Sequence, residues 1–415
     1  MPKKSGNEKT SPNTDKPKKS VLSISKDLVV TLGIISTVVG FGPQILDSLD
    51  KLSGTHQRYS LFSTYVNYGR DLFKEERFNE AARSFEEALT LRPYDFAVQL
   101  DLKKARLLHA LYRLNNIQVD ELAKLSFEVE VVIRSNVPDV YRFYFVQGNI
   151  RYVQKDYKGA RQSYEKALEV KPDYAKAMSN LGATLNDLKD FPAAARMLRS
   201  ALQAGDIDPA VYNNLSIALW SAGAYDEAIV VAQEGIKLFP TYGQLYNELG
   251  VALYKSGRMV EAVSAFKTAH VMIPKWQKNN LLECLTNISY PLAALGRTTE
   301  ALDYLQQAKV VMADNPHIYL AMATCYQQAG NDTKALEAYE QLGALGVYPD
   351  PPEMIKWAAI LERLRRSKEA SMRLYMALEK GKHEPQIIKM IQSQAEKYNY
   401  QDILQRIREI SKFSN

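Results

Sequence analysis

From residue 62 onward, small and apolar residues return to the same places every 34 residues, with polar residues between them at helical spacing. One column reads Ala81, Ala160, Ala194, Ala228, Ala262, Ala301, Ala335 and Ala370. Twelve residues earlier stands a mostly small column: Gly69, Gly148, Gly182, Ser216, Gly250, Ser289, Ala323 and Ala358. Four residues after the alanines the column is larger: Phe85, Tyr164, Leu198, Ala232, Phe266, Leu305, Tyr339 and Leu374. A fourth reads Ala88, Ala167, Ala201, Gly235, Ala269, Ala308, Leu342 and Ala377. Gly223, Gly257, Gly296 and Gly330 fall where a first helix should stop, as glycines do beyond a helix C-terminus. Pro93, Pro138, Pro172, Pro240 and Pro274 close the second helix and begin the next unit. The pattern predicts a helical hairpin per period, and one hairpin cannot bury its own apolar face, so neighbours must stack.

These columns resemble the tetratricopeptide repeat, which has small residues where its two helices cross and a proline at the unit's end. The fold class expected is all-α, a right-handed superhelical solenoid of helix-turn-helix repeats. Units are expected at 62–95, 141–174, 175–208, 209–242, 243–276, 282–315, 316–349 and 351–384, with 107–140 a degenerate unit after a short insertion beginning at residue 96. Phe127, Val129 and Val131 alternate within that stretch as a strand would. Residues 277–281 read as a second insertion. Residues 385–415 read as capping helices, the last with Ile403, Leu404, Ile407 and Ile410 on one side.

The N-terminus is different in kind. Residues 1–26 are rich in Lys, Ser, Pro and Asn and are expected to be a disordered basic tail. Seven lysines there stand against Glu8 and Asp15, a local +5 in a chain whose net charge is +6, so the remainder is near neutral. A nucleic-acid binder spreads positive charge along a folded face, which argues against nucleic acid as a partner. Residues 28–46 carry no charge; as a helix they would span roughly 28 Å. The expectation is a single transmembrane helix over 27–47, followed by a linker at 48–61. The preceding lysines put the N-terminus in the cytoplasm and the repeats on the far side, periplasmic or luminal; cytosol-facing repeats are the alternative.

Candidate chemistry adds little. The histidines His56, His109, His270, His317 and His383 form no ligand pair at helical spacing. Two distant cysteines, Cys284 and Cys325, cannot make a structural zinc site and read as small buried side chains. No phosphate loop or serine elbow is present. The sequons at Asn214 and Asn287 fall inside first helices, where a glycan would not fit the packing; Asn331 completes the set. No catalytic, metal or cofactor residue is expected, and the chain is read as a non-enzyme.

The groove lined by first helices is the expected binding site. Residues at i, i+4 and i+7 share a face, which groups Phe145/Asn149/Tyr152, Asn213/Ile217/Trp220 and Asn247/Val251/Tyr254. Asn67, Asn180, Asn214 and Asn287 form an adjoining stripe. Asparagine offers donor and acceptor together and can hold a peptide backbone; aromatic neighbours supply apolar anchors. The asparagine stripe is similar to that in the repeats attached to O-linked N-acetylglucosamine transferases, though no catalytic domain follows. The clamp that binds chaperone tails in some family members needs basic residues in a column held here by Val66, Phe145, Ser179 and Asn213, so that ligand is not expected. The expected function is a membrane-anchored scaffold binding a protein or extended peptide segment, in the service of assembling or transporting a complex. A cytosol-facing receptor of the mitochondrial-import type and a regulatory subunit of an enzyme complex are the alternatives.

Overall fold

The computed structural model describes residues 43–110, 119–135 and 137–413, and every regular element among them is α-helical. The chain divides into two compact units, Met1–Ile150 and Arg151–Asn415. The first holds α1 (Pro43–Lys74), α2 (Phe78–Leu91), α3 (Phe96–Ala110), α4 (Val119–Arg134) and most of α5 (Val140–Val153). The second continues with α6 (Tyr157–Val170), α7 (Ala175–Asp187), α8 (Phe191–Gln203), α9 (Pro209–Ser221), α10 (Tyr225–Leu238), α11 (Gly243–Lys255) and α12 (Met259–Met272). After these come α13 (Lys278–Asn287), α14 (Ser289–Ala294), α15 (Thr298–Val311), α16 (Pro316–Gln328), α17 (Asp332–Ala344), α18 (Pro351–Arg363), α19 (Ser367–Gly381), α20 (Pro385–Lys397) and α21 (Gln401–Phe413). Each helix of the second unit packs on its neighbours in sequence, and first helices also adjoin the first helices of adjacent hairpins, α7 with α9 and α9 with α11.

What holds each hairpin is visible in the columns. All eight alanines from Ala81 to Ala370 have no exposed surface. The small column and the larger column, sixteen residues apart, meet at the crossing. A Cβ added to Gly182 would lie 2.4 Å from Leu198 Cγ; one on Gly69 would lie 2.6 Å from the Phe85 ring, and one on Gly250 2.7 Å from the Phe266 ring. Where the larger position shrinks to Ala232, the small one is Ser216. Everywhere else in the array a larger side chain packs over the small position, as dense interior packing requires.

The turn inside each hairpin needs one residue in the left-handed region. Gly223, Gly257, Gly296 and Gly330 supply it at φ between +72° and +85°, while Glu76, Lys155, Lys189 and Arg365 are held at +60° to +62° in the same register. Side-chain caps begin several helices: Asp156 accepts from the Gly159 N–H at 3.0 Å, and Asn331 from the Lys334 N–H at 3.1 Å. The C-terminal helices close on a core containing Ile387, Ile391, Ala395, Ile403 and Ile407, with Leu404 and Ile410 packed against it. Trp357 is buried there, stacked on Tyr339 at 5.1 Å between centroids.

Several sequence expectations are corrected. The strand-like alternation at Phe127, Val129 and Val131 is helix α4: Val129 and Val132 are buried while Phe127 is exposed, because three-residue spacing brings 129 and 132 to one helix face. Helix α3 starts at Phe96, so the residues read as a short insertion before 107 are helical. Lys278–Leu281, within the stretch read as a second insertion, are helical and form the start of α13. That first helix is broken at Ile288, because Pro291 has no N–H for the Asn287 carbonyl.

The single-pass membrane assignment is also corrected. No helix among the described residues is long and apolar enough to cross a membrane. Helix α1 is 32 residues long but carries Asp47, Asp50, Lys51, Arg58, Arg70 and Asp71, too many charges for a hydrocarbon core. The expected tail at 1–26 and residues 28–42 of the apolar run lie outside the described residues.

Two substitutions test this account of the hairpin by thermal melting. Gly182→Leu should destabilise by at least about 1–3 kcal/mol through overpacking, and Leu198→Ala in the same chain should recover part of the loss. If the two effects simply add, the crossing is not where the strain lies. Lys189→Gly should instead stabilise by about 0.5–1 kcal/mol, because it releases a side chain from a left-handed backbone; unchanged or lowered melting would contradict that.

Candidate functional site

The expected groove residues do lie on first helices, but the structure divides them into two kinds. Three of the expected asparagines, Asn180, Asn247 and Asn287, have side chains bonded inside the protein. Asn186 Nδ2 donates to the Asn214 carbonyl at 2.9 Å, tying α7 to α9. Asn247 is only 3% exposed, and its Nδ2 donates to Glu248 Oε1 at 3.0 Å and Glu283 Oε1 at 3.3 Å. Its Oδ1 accepts from Asn287 Nδ2 at 3.3 Å, which ties α11 to α13. Asn180 hydrogen-bonds Tyr164, and Tyr152 bonds Asp187 and meets Tyr157 edge-on at 5.4 Å. Asn213 is half-buried, with its Oδ1 enclosed and unpartnered. Asn149 is half-buried on α5. Asn247 and Trp220, expected in the groove, thus have partners within the protein, since adjoining first helices come close enough to exchange side-chain hydrogen bonds.

The second kind surrounds a pocket of about 370 Å³ lined by Trp220, Val251, Tyr254, Lys255, Phe266, Glu283, Asn287 and Tyr290. Three successive hairpins contribute: α9 through Trp220, α11 and α12 through Val251 to Phe266, and α13 with α14 through Glu283 to Tyr290. The Tyr254 and Tyr290 rings lie 6.3 Å apart at 30°. The break at Ile288 sets Tyr290 on its own short helix directly after the Asn287 latch. Trp220, Tyr254 and Asn287 therefore come together, whereas Asn180 and Asn214 do not line this pocket.

Beside the pocket sits a buried carboxylate that sequence reasoning missed. Glu248, 3% exposed, accepts from Trp220 Nε1 at 2.9 Å and from Asn247. Burial, reinforced by the charge of Glu283, pushes its pKa up, and the two donors pull only partly back. Burial raises Glu283 as well, against hydrogen bonds from Asn247 and Asn287 and the nearby His317. A signal for Glu248 existed: the asparagine stripe passes through 180, 214 and 287 but has glutamate in the unit between. Tyr290 was also readable, since it stands in the column of Val251 on the expected groove face, whereas nothing comparable marked Glu283.

The two cysteines are buried free thiols, with Cys284 pushed up to about 12 by burial and Cys325 to about 11. Among the described residues, no group of three or more His, Cys, Asp or Glu side chains could hold a metal ion.

Comparison with known proteins bears on the repeats. Residues 148–189 match a family described as TPR repeat, and residues 180–243, 218–274 and 318–349 match tetratricopeptide repeat families. The small glutamine-rich tetratricopeptide repeat-containing protein 2 of Mycosarcoma maydis is 34% identical over 98 residues, covering 23% of this chain and 27% of that protein. The APC/C hetero-tetramer Cut9–Hcn1 superposes with a TM-score of 0.51 at 18% identity, over 72% of this chain and 55% of that one. PilW, a type IV pilus biogenesis factor, gives a TM-score of 0.44 at 18% identity, over 50% of this chain and 94% of its own. The family matches and the repeat-containing relative support tetratricopeptide repeats in this chain, and the Cut9 likeness supports an all-helical solenoid.

The buried carboxylate predicts a pH effect. A carboxyl group whose folded pKa is raised keeps its proton after the unfolded chain has lost it, so stability falls as pH rises above the ordinary value of 4.5. Glu248→Gln keeps an acceptor for Trp220 without the charge. Its melting curve should match the parent near pH 4.5 and lie a few degrees higher at pH 8, on the order of 1–3 kcal/mol. A variant less stable at both pH values would show that the ionised form is the one the fold favours.

Proposed function

We propose that this chain is a non-enzymatic scaffold that holds an extended segment of a partner protein on the first-helix face of the unit 151–415. The observation carrying this reading is the pocket spanning three hairpins, where Trp220, Tyr254 and Tyr290 expose aromatic surface on one side of the array. A site built across repeats suits a chain-like ligand better than a compact one, because successive pockets can take successive side chains. The latching asparagines contribute by fixing the spacing between adjacent first helices. That makes the face rigid before binding, which lowers the ordering cost of association. The anchors that matter are then the tyrosines and Trp220 rather than the asparagines.

Selection of displayed octapeptides on the full chain, followed by affinity measurement on variants, tests the reading. Tyr254→Ala and Tyr290→Ala should each weaken selected peptides at least tenfold, as loss of an aromatic anchor typically does. Val230→Ala and Val271→Ala, at exposed positions on the second helices α10 and α12, should leave affinity and melting unchanged. Peptides that bind the tyrosine variants as tightly as the parent would place recognition elsewhere.

A further inference from the structure

The pocket has an electrostatic character that its aromatic walls alone do not explain. Glu283 opens into it, and Glu248 lies under the Trp220 indole at 2.9 Å. Both carboxylates are held only by neutral N–H donors, the Trp220 indole and the Asn247 and Asn287 amides. Among the described residues neither forms an ion pair. Other carboxylates of the array do: Asp332 pairs with Arg363 at 2.6 Å, Glu300 with Lys267 at 2.9 Å, and Glu353 with Lys356 at 2.5 Å. Lys255 lines the same pocket but makes no ion pair with Glu283, and His317 is the other basic group facing it. One open carboxylate, Glu283, thus stands at a pocket walled by the half-buried rings of Trp220, Tyr254 and Tyr290, whose faces attract cations. A volume of about 370 Å³ leaves room for a long basic side chain.

We propose that this pocket receives the cationic end of a lysine or arginine side chain from the partner's extended segment, with Glu283 as its direct ion-pair partner. The proposal rests on the first-helix face being the binding surface. The guest's stem lies along the tyrosines while its charged head meets the carboxylate that the fold leaves unpaired. Arginine suits the site better than lysine, because its planar head stacks on rings and pairs with a carboxylate at once. Long-range attraction does not account for such a preference, since the whole chain carries +6.

Fluorescence polarisation on the full chain decides the matter, using three labelled octapeptide pools with random flanks and a fixed central arginine, norleucine or glutamate. The arginine pool should bind at least tenfold tighter than the glutamate pool, with norleucine between them. Glu283→Gln should bring arginine and norleucine within threefold of one another without weakening norleucine, and Glu283→Lys should reverse the order. Glu261→Gln, an exposed change on α12, should alter nothing. Equal binding of arginine and norleucine, or an arginine preference that survives Glu283→Gln, overturns the assignment. If Tyr254→Ala still abolishes binding in that case, the face remains the binding surface and only its charge preference is wrong. If no pool binds, or none responds to Tyr254→Ala, both readings fail.

Discussion

Everything in this protein depends on how closely two helices of a hairpin can approach. The distance is set where a glycine or other small residue of the first helix lies under a larger side chain sixteen residues later: Gly69 under Phe85, Gly182 under Leu198, Gly250 under Phe266. A missing Cβ there removes the only atom that would hold the backbones apart. Each hairpin becomes thin, its apolar faces stay uncovered, and the next hairpin must cover them. The alanines at the crossing, none with exposed surface, extend the same close fit along the helix.

Close crossing also determines what the inner side of the array can be. First helices of adjacent hairpins lie near enough for side chains to bridge them, so polar residues on that side find partners within the protein. Asn186 reaches the Asn214 backbone, Asn287 reaches Asn247, and Trp220 reaches Glu248. These bonds satisfy buried polar groups that would otherwise cost about 1–3 kcal/mol each. The side chains left over for a ligand are those that no bridge consumes: Tyr254, Tyr290 and the open carboxylate of Glu283. At Glu248 and Glu283 the bridging is incomplete in electrostatic terms, because each gains neutral donors without a cation. Burial opposes the charged form of Glu248, which is why its pKa is raised.

The repeat, its period and the positions of most helices were legible in the sequence because they follow from local rules. Small residues recur where backbones cross, glycines where the chain turns left-handed, prolines where helices end. All of these act within one hairpin, and every hairpin repeats the experiment. The same rules failed at Phe127, Val129 and Val131, where apolar alternation over a few residues looked like a strand but belonged to a helix with its own three-residue spacing. They failed again over residues 28–46, where hydropathy suggested a span. Of that run the described part, from Pro43, continues into a charged helix, and no described helix could cross a membrane.

The sequence by itself therefore determined the architecture and the face on which to look for a site: first helices, with asparagine in a stripe and aromatic residues such as Tyr152, Trp220 and Tyr254 beside it. Only the tertiary structure decided what those residues do. An asparagine at a given helical position is a ligand contact or an inter-helix latch depending on whether a neighbouring helix brings a partner within about 3 Å, and that distance is set by a crossing many residues away. Glu248 was visible as a break in the stripe, yet its burial beneath Trp220 and its alliance with Glu283 across the next hairpin were not. Tyr290 meets Tyr254 at 6.3 Å only because the next hairpin stacks where it does. Periodicity is a property of one chain segment; a pocket belongs to three segments at once, and their mutual placement is not written in any one of them.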